Sequence, residues 1–361
     1  MNFFKVGIAI SVAILANWSV LANAEDERTG RYQELIEQSK TESGLIVYSN
    51  MPDWMWKPFR NLLSERYPWV RLQTTDLGGE LWERYYAEAS ANTRTADIIT
   101  TGAPDRWLDF ADRGEVLAYQ SIEDPHLPEW SRPKPGLYTL AVNPAIIIWN
   151  RFQVKTPPKT LVALAAMARE TPEILKGKIT TYDAAASPFG VAMFATWLQG
   201  EGNNWETLKP IGLLARPETG AGAMRDKTAS GEYSIGFFAA SAGIPKLEEP
   251  AMKQLVGYDY IYDGTPVSLQ GIAVTKHAAS PNTAKIVMDL MLSRQGQIAF
   301  AQGGFTAYRD DVDQADVPYP TLGTVRQKVG EKNILFNSYD RGQIRSWPAV
   351  TKAWRAVFGR P

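Results

Sequence analysis

Short apolar runs alternate with longer amphipathic segments over residues 44–114. Strands are predicted for the β-favouring runs "GLIVYS", "VRLQTT" and "TADIITTG". Helices are predicted for "DWMWKPFRNLLSERYP", "DLGGELWERYYAEASAN" and "PDRWLDFADRG", which carry apolar residues at helical spacing. A strand followed by a helix, repeated along the chain, is typical of a parallel sheet covered by helices. We therefore predict an α/β fold.

The pattern changes after the third predicted helix. A proline-rich loop, "HLPEWSRPKPG", leads into "LYTLAVNPAIIIWNR", which predicts two strands joined at Asn143–Pro144. Further on, we predict strands for "GKITTYD" and "GEYSIGFF", extended chain for "YDYIYDGTPVSLQGIAVTK", and one long helix for "SPNTAKIVMDLMLSRQGQIAFAQ". The chain has 361 residues, more than one small domain needs, so two lobes are expected.

Residues 1–24 have the pattern of a secretory signal peptide. Lys5 precedes the apolar run "VGIAISVAILA", which is too short to span a bilayer comfortably. The "ANA" at residues 22–24 is a small-x-small cleavage motif. We expect cleavage after Ala24, a mature chain that begins at Glu25, and export to the periplasm. No other apolar run approaches the length of a membrane span.

Composition excludes several classes of protein. The net charge of −1 gives no reason to expect a nucleic-acid partner. Because the chain has no cysteine, disulfides, thiolate metal ligands, a cysteine nucleophile and a lipid anchor on an N-terminal cysteine are all excluded. The two histidines, His126 and His277, lie far apart in sequence, and no "GxSxG" motif is present, so neither a serine triad nor a histidine zinc site is supported. We predict no catalysis and no cofactor.

Four segments resemble a known family in their order and spacing. They are "LIVYSN", "GGELWERYYAEASANTRTADIITTG", "SGEYSIGFF" and "DGTPVSLQGIAVTKHAASPNTAKIVMDLMLSRQGQ", which fall within residues 44–302. Each motif alone is weak, but together they resemble the extracellular solute-binding proteins of ABC importers, in the ferric-binding-protein-like branch. The resemblance implies a two-lobed periplasmic-binding-protein fold of type II, in which each lobe is a mostly parallel sheet flanked by helices. Ligand would lie in the cleft between the lobes.

The resemblance also implies an organisation and a set of partners. We place the first lobe at residues 44–145 plus 266–310, and the second at residues 146–265 plus 311–361. A monomer would capture a small-molecule solute and deliver it to permease subunits in the inner membrane. The competing class is a periplasmic enzyme on the same fold.

The ligand site is expected at the carboxyl ends of the strands, where open α/β sheets bind their ligands. Ser187 can cap a helix that begins at Pro188, whose free N–H groups would suit an anion, although a capped structural end would look the same. Gly78 and Gly79 allow a close approach of backbone to ligand, or only a tight turn. The candidate ligand-binding residues are Asn50, Met51, Trp54, Gly78, Gly79, Thr100, Thr101, Ser187, Pro188, Phe189, Gly190, Ala240, Ser241, Tyr262 and Asp263.

The loops at the carboxyl ends of the predicted strands, here called corners, favour a small polar organic anion, such as a sugar phosphate, a phosphonate or a carboxylate. They contain few cations; Arg106 and Arg225 are near enough to reach inward, yet such residues are more often solvated. Helix N-termini are therefore the expected source of positive potential. A cationic ligand such as a polyamine or thiamine stays open as an alternative.

Ferric iron with a synergistic anion is a further alternative, which the residues disfavour. The resemblance implies two adjacent tyrosines after the second-lobe strand, where this chain has Ala239 and Ala240. The implied first-lobe histidine falls near Pro52 or Asp53, and the implied glutamate near Gly102. Phenolates remain available at three alternate positions, Tyr258, Tyr260 and Tyr262, although a strand gives that spacing anyway.

Two tryptophans at the start of one helix raise a separate question. Trp54 and Trp56 lie two residues apart, so they point in different directions. Packing of both into the core is the favoured interpretation. The second interpretation places one indole at the lip of the cleft.

Overall fold

The structure, a computed structural model, describes residues 30–359. The predicted signal peptide lies outside the described residues. The strands are β1 (Leu45–Ser49), β2 (Leu72–Asp76), β3 (Ile98–Thr101), β4 (Leu137–Asn150), β5 (Ile179–Thr180), β6 (Ile235–Ala240), β7 (Val256–Tyr260), β8 (Thr265–Val274) and β9 (Ile334–Phe336).

Helices surround these strands. They are α1 (residues 30–39), α2 (Asp53–Arg66), α3 (Leu81–Ser90), α4 (Pro104–Asp112), α5 (Leu161–Glu170), α6 (Pro172–Leu175), α7 (Pro188–Trp197), α8 (Trp205–Gly212), α9 (Ala221–Ala229), α10 (Ile244–Leu247), α11 (Pro250–Leu255), α12 (Pro281–Leu292), α13 (Arg294–Gln302), α14 (Leu322–Val329), α15 (Arg341–Arg345) and α16 (Trp347–Phe358). No helix within residues 30–359 has the length and apolar character needed to cross a bilayer.

The strands are ordered β2-β1-β3-β8-β4-β6-β5, with β7 on β4 and β9 on β8. Strands β1, β2 and β3 are parallel, as the repeated strand–helix pattern predicts. Two long strands join this part of the sheet to the rest. The first half of β4 pairs with β8, and its second half pairs with β6 and β7. The predicted lobe boundaries stay a prediction.

Two predicted elements differ in the structure. The prediction of two strands joined at Asn143–Pro144 was wrong, because β4 runs through them without a break. Pro144 is the last residue paired with β8 and Ala145 the first paired with β6, so proline falls where the strand changes partners. The single helix predicted after residue 280 is two helices, because Ser293 is extended and caps α13.

Trp54 and Trp56 have different environments. Trp56 is fully buried and makes edge contacts with Phe59 and Phe300, at centroid distances of 6.3 and 5.6 Å. Trp54 keeps 37% of its surface exposed. The favoured interpretation, core packing for both, was therefore wrong, and the divergence of the two side chains is confirmed.

Candidate functional site

One edge of β8 has a short interval between β3 and β9, residues 268–270, which we call the opening. Strand β3 borders that strand only as far as Gly271, and β9 borders it from the other end only as far as Val267. Neither strand pairs with residues 268–270, which lie beside the position where β4 changes partners. The corners that follow β1 and β3 reach this interval from one side. A ligand held here would lie between the two parts of the sheet.

Contacts at the opening bring together residues that are distant in sequence. The Gln270 side-chain amide donates to Asn50 Oδ1 over 2.9 Å, which ties the corner after β1 to the crossing strand. A Cβ built on Gly102 would lie 3.4 Å from Gln270 Oε1 and 3.6 Å from Ser268 Oγ. Glycine at position 102 therefore keeps backbone close to two polar side chains. Asn50 is a residue predicted from the sequence, whereas Ser268 and Gln270 are not.

The Ser187 corner is built as the sequence predicts. Ser187 Oγ accepts the Gly190 amide at 3.1 Å, so the predicted helix cap is confirmed. A Cβ on Gly190 would lie 3.0 Å from the Asp183 carbonyl oxygen, which explains the glycine in this turn. Pro188 is exposed, and Phe189 makes an edge contact with Tyr182 at 4.9 Å. Ligand binding by this corner stays a prediction.

A second helix begins beside it. The Asp183 amide donates to the Glu218 carbonyl at 2.9 Å, which places the start of α9 next to the Ser187 corner. Gly220 precedes α9 in an extended conformation and offers no side-chain cap. The first amides of α9 thus have no acceptor from a capping side chain. The glycines of "TGAGAM" are the sequence signal for this helix start, which is not among the predicted site residues.

Arg225 supplies a cation one turn further along α9. It lines a small cavity of about 40 Å³ with Ala239, Ala240 and Gly243, at the end of β6. Its Nε lies 2.8 Å from Asp226 Oδ1, so the guanidinium is partly neutralised. Arg106, in contrast, is half exposed beside Asp105 and Glu83. Of these two arginines, Arg225 is the one beside a predicted site residue, Ala240.

The corners at the ends of β2 and β3 carry acidic residues instead. Backbone amides of Glu80 and Gly78 hold the pKa of the Glu80 carboxyl below its ordinary value. Burial, and then the nearby Glu80 charge, raise the pKa of Asp76. Burial also raises the pKa of Asp105. Because the Glu80 carboxylate lies over the Gly78 amide, the geometry argues against the predicted role of Gly78 and Gly79 in binding an anion.

Three predicted residues are buried at the ends of strands. Met51 is 2% exposed and packs in the core, and Thr100 is fully buried. Thr101 is 6% exposed, and its carbonyl oxygen accepts the Trp107 indole N–H at 2.8 Å. The Met51 side chain therefore faces packed protein, which argues against direct contact with a solute, whereas the buried Thr100 hydroxyl has no hydrogen-bond partner within residues 30–359.

Ser241 and Asp263 have structural partners. The Ser241 hydroxyl donates to Asn143 Oδ1 at 2.9 Å. The Asp263 carboxylate accepts the amides of Leu161 and Val162, each at 3.0 Å, and so caps α5. These bonds account for both residues without a ligand, so we do not retain them in the proposed site.

Tyr262 and Trp54 both lie next to lysines. The Lys159 ammonium is 5.5 Å from the Tyr262 ring centre, and this contact involves no other predicted site residue. Lys246 lies 5.5 Å from the Trp54 ring centre. Because Trp54 follows β1 and Lys246 follows β6, that cation–π contact bridges the two predicted lobes. Trp54 is thus retained at the lip, and Tyr262 is not.

Metal ligands are not grouped in the part of the chain that the structure describes. No set of three or more His, Asp or Glu residues is arranged there to hold a metal ion. The Tyr258 hydroxyl donates to Glu248 at 2.9 Å, and burial raises the pKa of both Tyr258 and Tyr260. Phenolate ligands, the remaining source for ferric iron, are therefore costly to form at these two positions.

The chain belongs to a known family. A family model described as bacterial extracellular solute-binding protein matches residues 75–306, which is more than half of the chain. The fold matches the substrate-binding protein of an ABC transporter from Agrobacterium tumefaciens, with a TM-score of 0.76 at 20% identity, over 88% of this chain and 95% of the other. This likeness confirms the predicted two-lobed α/β fold of periplasmic binding proteins.

Two other solved structures share the fold and differ in what their descriptions name. One is the apo ferric ion-binding protein A of Pasteurella haemolytica, with 15% identity over 87% of this chain and 97% of the other, and a TM-score of 0.66. Another is the periplasmic binding protein AfuA of Actinobacillus pleuropneumoniae with exogenous fructose-6-phosphate bound. It is 17% identical over 88% of this chain and 98% of the other, with a TM-score of 0.61.

Proposed function

We propose that this protein is the periplasmic substrate-binding component of an ABC importer and captures a small organic anion. The observation that carries the proposal is the pair of adjacent helix N-termini, α7 and α9, with Arg225 beside them. The opposite corners carry Asp76, Glu80 and Asp105. The anionic group therefore binds at the Ser187 corner, in the predicted second lobe. The uncharged part of the solute faces the first lobe.

The free energies of these contacts are large enough for micromolar binding of an anion. A helix terminus contributes about 0.3–1 kcal/mol to anion binding at exposed sites and up to about 2 kcal/mol when partly buried. Hydrogen bonds to a charged acceptor add roughly 1.5–3 kcal/mol each. Two or three such bonds, with the Arg225 guanidinium, support micromolar binding after the cost of ordering the solute.

Ferric iron is the second candidate, because ferric ion-binding proteins share the fold. The alanines at positions 239 and 240 and the bonded Tyr258 weigh against it. Elemental analysis of protein purified from cells separates the two candidates, because an anion-binding protein would contain no stoichiometric iron. Native mass spectrometry of the same sample would give the mass of a retained solute.

Substitution of Ser187 tests the anion site. We expect Ser187→Asp to abolish binding of the anion, because its carboxylate would face the same amides while still capping α7. Ser187→Ala removes one hydroxyl and leaves the backbone donors, so the affinity should fall about tenfold. Calorimetry with the retained solute measures both effects.

A matched control is Ser293→Asp. Ser293 caps α13 through the Gly296 amide at 3.1 Å, as Ser187 caps α7, but belongs to none of the corners described above. This variant should bind like the unchanged protein. Undiminished affinity in Ser187→Asp would show that the α7 terminus is only a capped structural end.

Domain closure is a second expected result. A solute that contacts both lobes favours the state in which they are close, so the radius of gyration should decrease when solute is added. Small-angle X-ray scattering with and without saturating solute measures the change. An unchanged radius at saturation would contradict binding between two mobile lobes.

A further inference from the structure

The side-chain carboxamide of Asn337 is buried and has no hydrogen-bond partner within the described residues. It is 1% exposed, and neither its carboxamide oxygen nor its nitrogen has a hydrogen-bond partner among residues 30–359. A buried polar group left unpaired costs about 1–3 kcal/mol, and most native side chains avoid that cost. The position of Asn337 in the fold indicates a role for its unpaired carboxamide.

Asn337 lies beside the opening at β8. Strand β9 runs parallel to β8 with Val267 opposite Phe336. The backbone amide of Asn337 donates to the Val267 carbonyl at 2.9 Å. The next position along β8 is Ser268, which therefore lies next to Asn337. Paired residues of parallel strands share a face, and alternate residues of one strand do too. Asn337, Ser268 and Gln270 thus lie on one face.

The surrounding contacts agree with this placement. Phe336 stacks on Trp130 at 4.6 Å, which fixes the opposite face. Leu335, on the same face as Asn337, approaches Trp197 near Gly264. Trp197 is the last residue of α7, the helix that begins at the Ser187 corner. The face with Asn337 is therefore the one that α7 covers.

Ser268 and Gln270 also have hydrogen-bonding capacity to spare. They are 3% and 4% exposed. Gln270 Nε2 is engaged with Asn50, whereas Gln270 Oε1 and Ser268 Oγ have no hydrogen-bond partner within residues 30–359. The strand is fully buried, and its other polar residue, Thr265, donates its hydroxyl to the Ile261 carbonyl. Three neighbouring side chains thus offer unpaired donors and acceptors where two parts of the sheet meet.

We propose that Ser268, Gln270 and Asn337 form a subsite for hydroxyl groups of the solute. This inference rests on the proposed function, because it assigns the uncharged part of the anion held near Ser187. The Asn337 amide and the Ser268 hydroxyl each donate and accept, and the free Gln270 oxygen accepts. Hydroxyl groups also donate and accept hydrogen bonds, so an uncharged set of donors and acceptors complements them. The solute class is a polyhydroxylated organic anion.

The first test needs no ligand. A structural asparagine stabilises the fold through its bonds, whereas a binding residue held unpaired does not, so Asn337→Leu should unfold at the same temperature as the unchanged protein or higher. The matched control is Asn150→Leu. Asn150 is 4% exposed, and its carboxamide bonds Thr228, Phe152 and Gln153. That variant should unfold several degrees lower. An equal loss of stability in both variants would overturn the proposal.

The second test is calorimetry with two probes, a hexose 6-phosphate and methylphosphonate, which has no carbon-bound hydroxyl. The unchanged protein should bind the hexose phosphate more tightly. Asn337→Leu and Gln270→Leu should each weaken that binding at least tenfold and change methylphosphonate binding less than twofold. Equal affinity of the unchanged protein for both probes, or unchanged hexose phosphate binding in the variants, would overturn the subsite and leave the proposed function standing.

A different outcome would address the proposed function itself. If neither probe binds the unchanged protein, the solute retained from cells decides, through its mass and fragmentation in native mass spectrometry. A cationic or metal solute would contradict the anion-binding function. An organic anion without hydroxyl groups would contradict only the subsite, whereas a polyhydroxylated anion would support both.

Discussion

Replacement of Asp97 with alanine should lower the free energy of unfolding by about 2–4 kcal/mol, because it leaves two backbone amides without an acceptor and removes the partner of Arg94. The Asp97 side chain is fully buried. Arg94 donates to its two oxygens over 2.7 and 2.6 Å. The amides of Ile46 and Ser280 donate to them over 2.8 and 2.9 Å. One carboxylate thus joins β1, β3 and the start of α12.

Thermal unfolding measures this loss. A change of that size should lower the midpoint by roughly 3–6 °C for a protein of this length. Asp310→Ala is the matched control, because Asp310 is exposed and makes no side-chain hydrogen bond or ion pair within the described residues. It should stay within about 0.5 kcal/mol of the unchanged protein. Similar midpoints for the two variants would show that the carboxylate is not the junction that the contacts indicate.

The segment that contains Asp97 belongs to the part of the fold that the sequence predicts. The segment "TADIITTG" contributed to the family resemblance, and its aspartate is the residue that joins three elements at the end of the sheet away from the opening. Local periodicity was sufficient for β1 to β3 and for the capped start of α7, because the signals there lie within a few neighbouring residues. These are the parts of the fold and of the candidate site that the sequence predicts.

Other parts of the site depend on partners that are far apart in the chain. Asn337 follows a strand of only three residues, whose place beside β8 is set by pairing with Thr265 to Val267. No local pattern indicates such pairing. At the Gly78 corner, the structure shows a contact that the glycine pattern does not indicate. The two glycines predict free amides, but the carboxylate of Glu80, close in sequence, folds back onto the Gly78 amide.

A second large effect is expected in the pH dependence of stability. Asp289, in α12, is 1% exposed, and its carboxylate accepts the hydroxyls of Tyr119 and Ser121. Burial raises the pKa of Asp289 from an ordinary 3.8 to about 7, and the charge of Glu123 also raises it, whereas the two hydroxyls lower it. Glu123 is itself paired with the buried Arg309 at 2.6 Å.

The sign of the effect follows from the raised pKa. The folded protein holds the Asp289 proton more tightly than the unfolded chain, so this stabilisation is fully present below about pH 4 and is lost as the pH rises through about 7. From about pH 5 to about pH 7.5, the contribution of Asp289 to the free energy of unfolding should fall by about 2–3 kcal/mol. Asp289→Asn stays neutral and accepts one hydroxyl at its side-chain oxygen, so this decrease should be absent from the variant.

The measurement is the difference in unfolding free energy between the unchanged protein and Asp289→Asn, from denaturant titrations across this pH range. Taking the difference cancels the contributions of groups that titrate alike in both proteins. Asp310→Asn is the control, and its curve should run parallel to that of the unchanged protein, because Asp310 is exposed and has no side-chain partner within the described residues. A constant difference between the unchanged protein and Asp289→Asn from about pH 5 to about pH 7.5 would mean that Asp289 is already charged at the acidic end. The bonds from Tyr119 and Ser121 would then outweigh its burial.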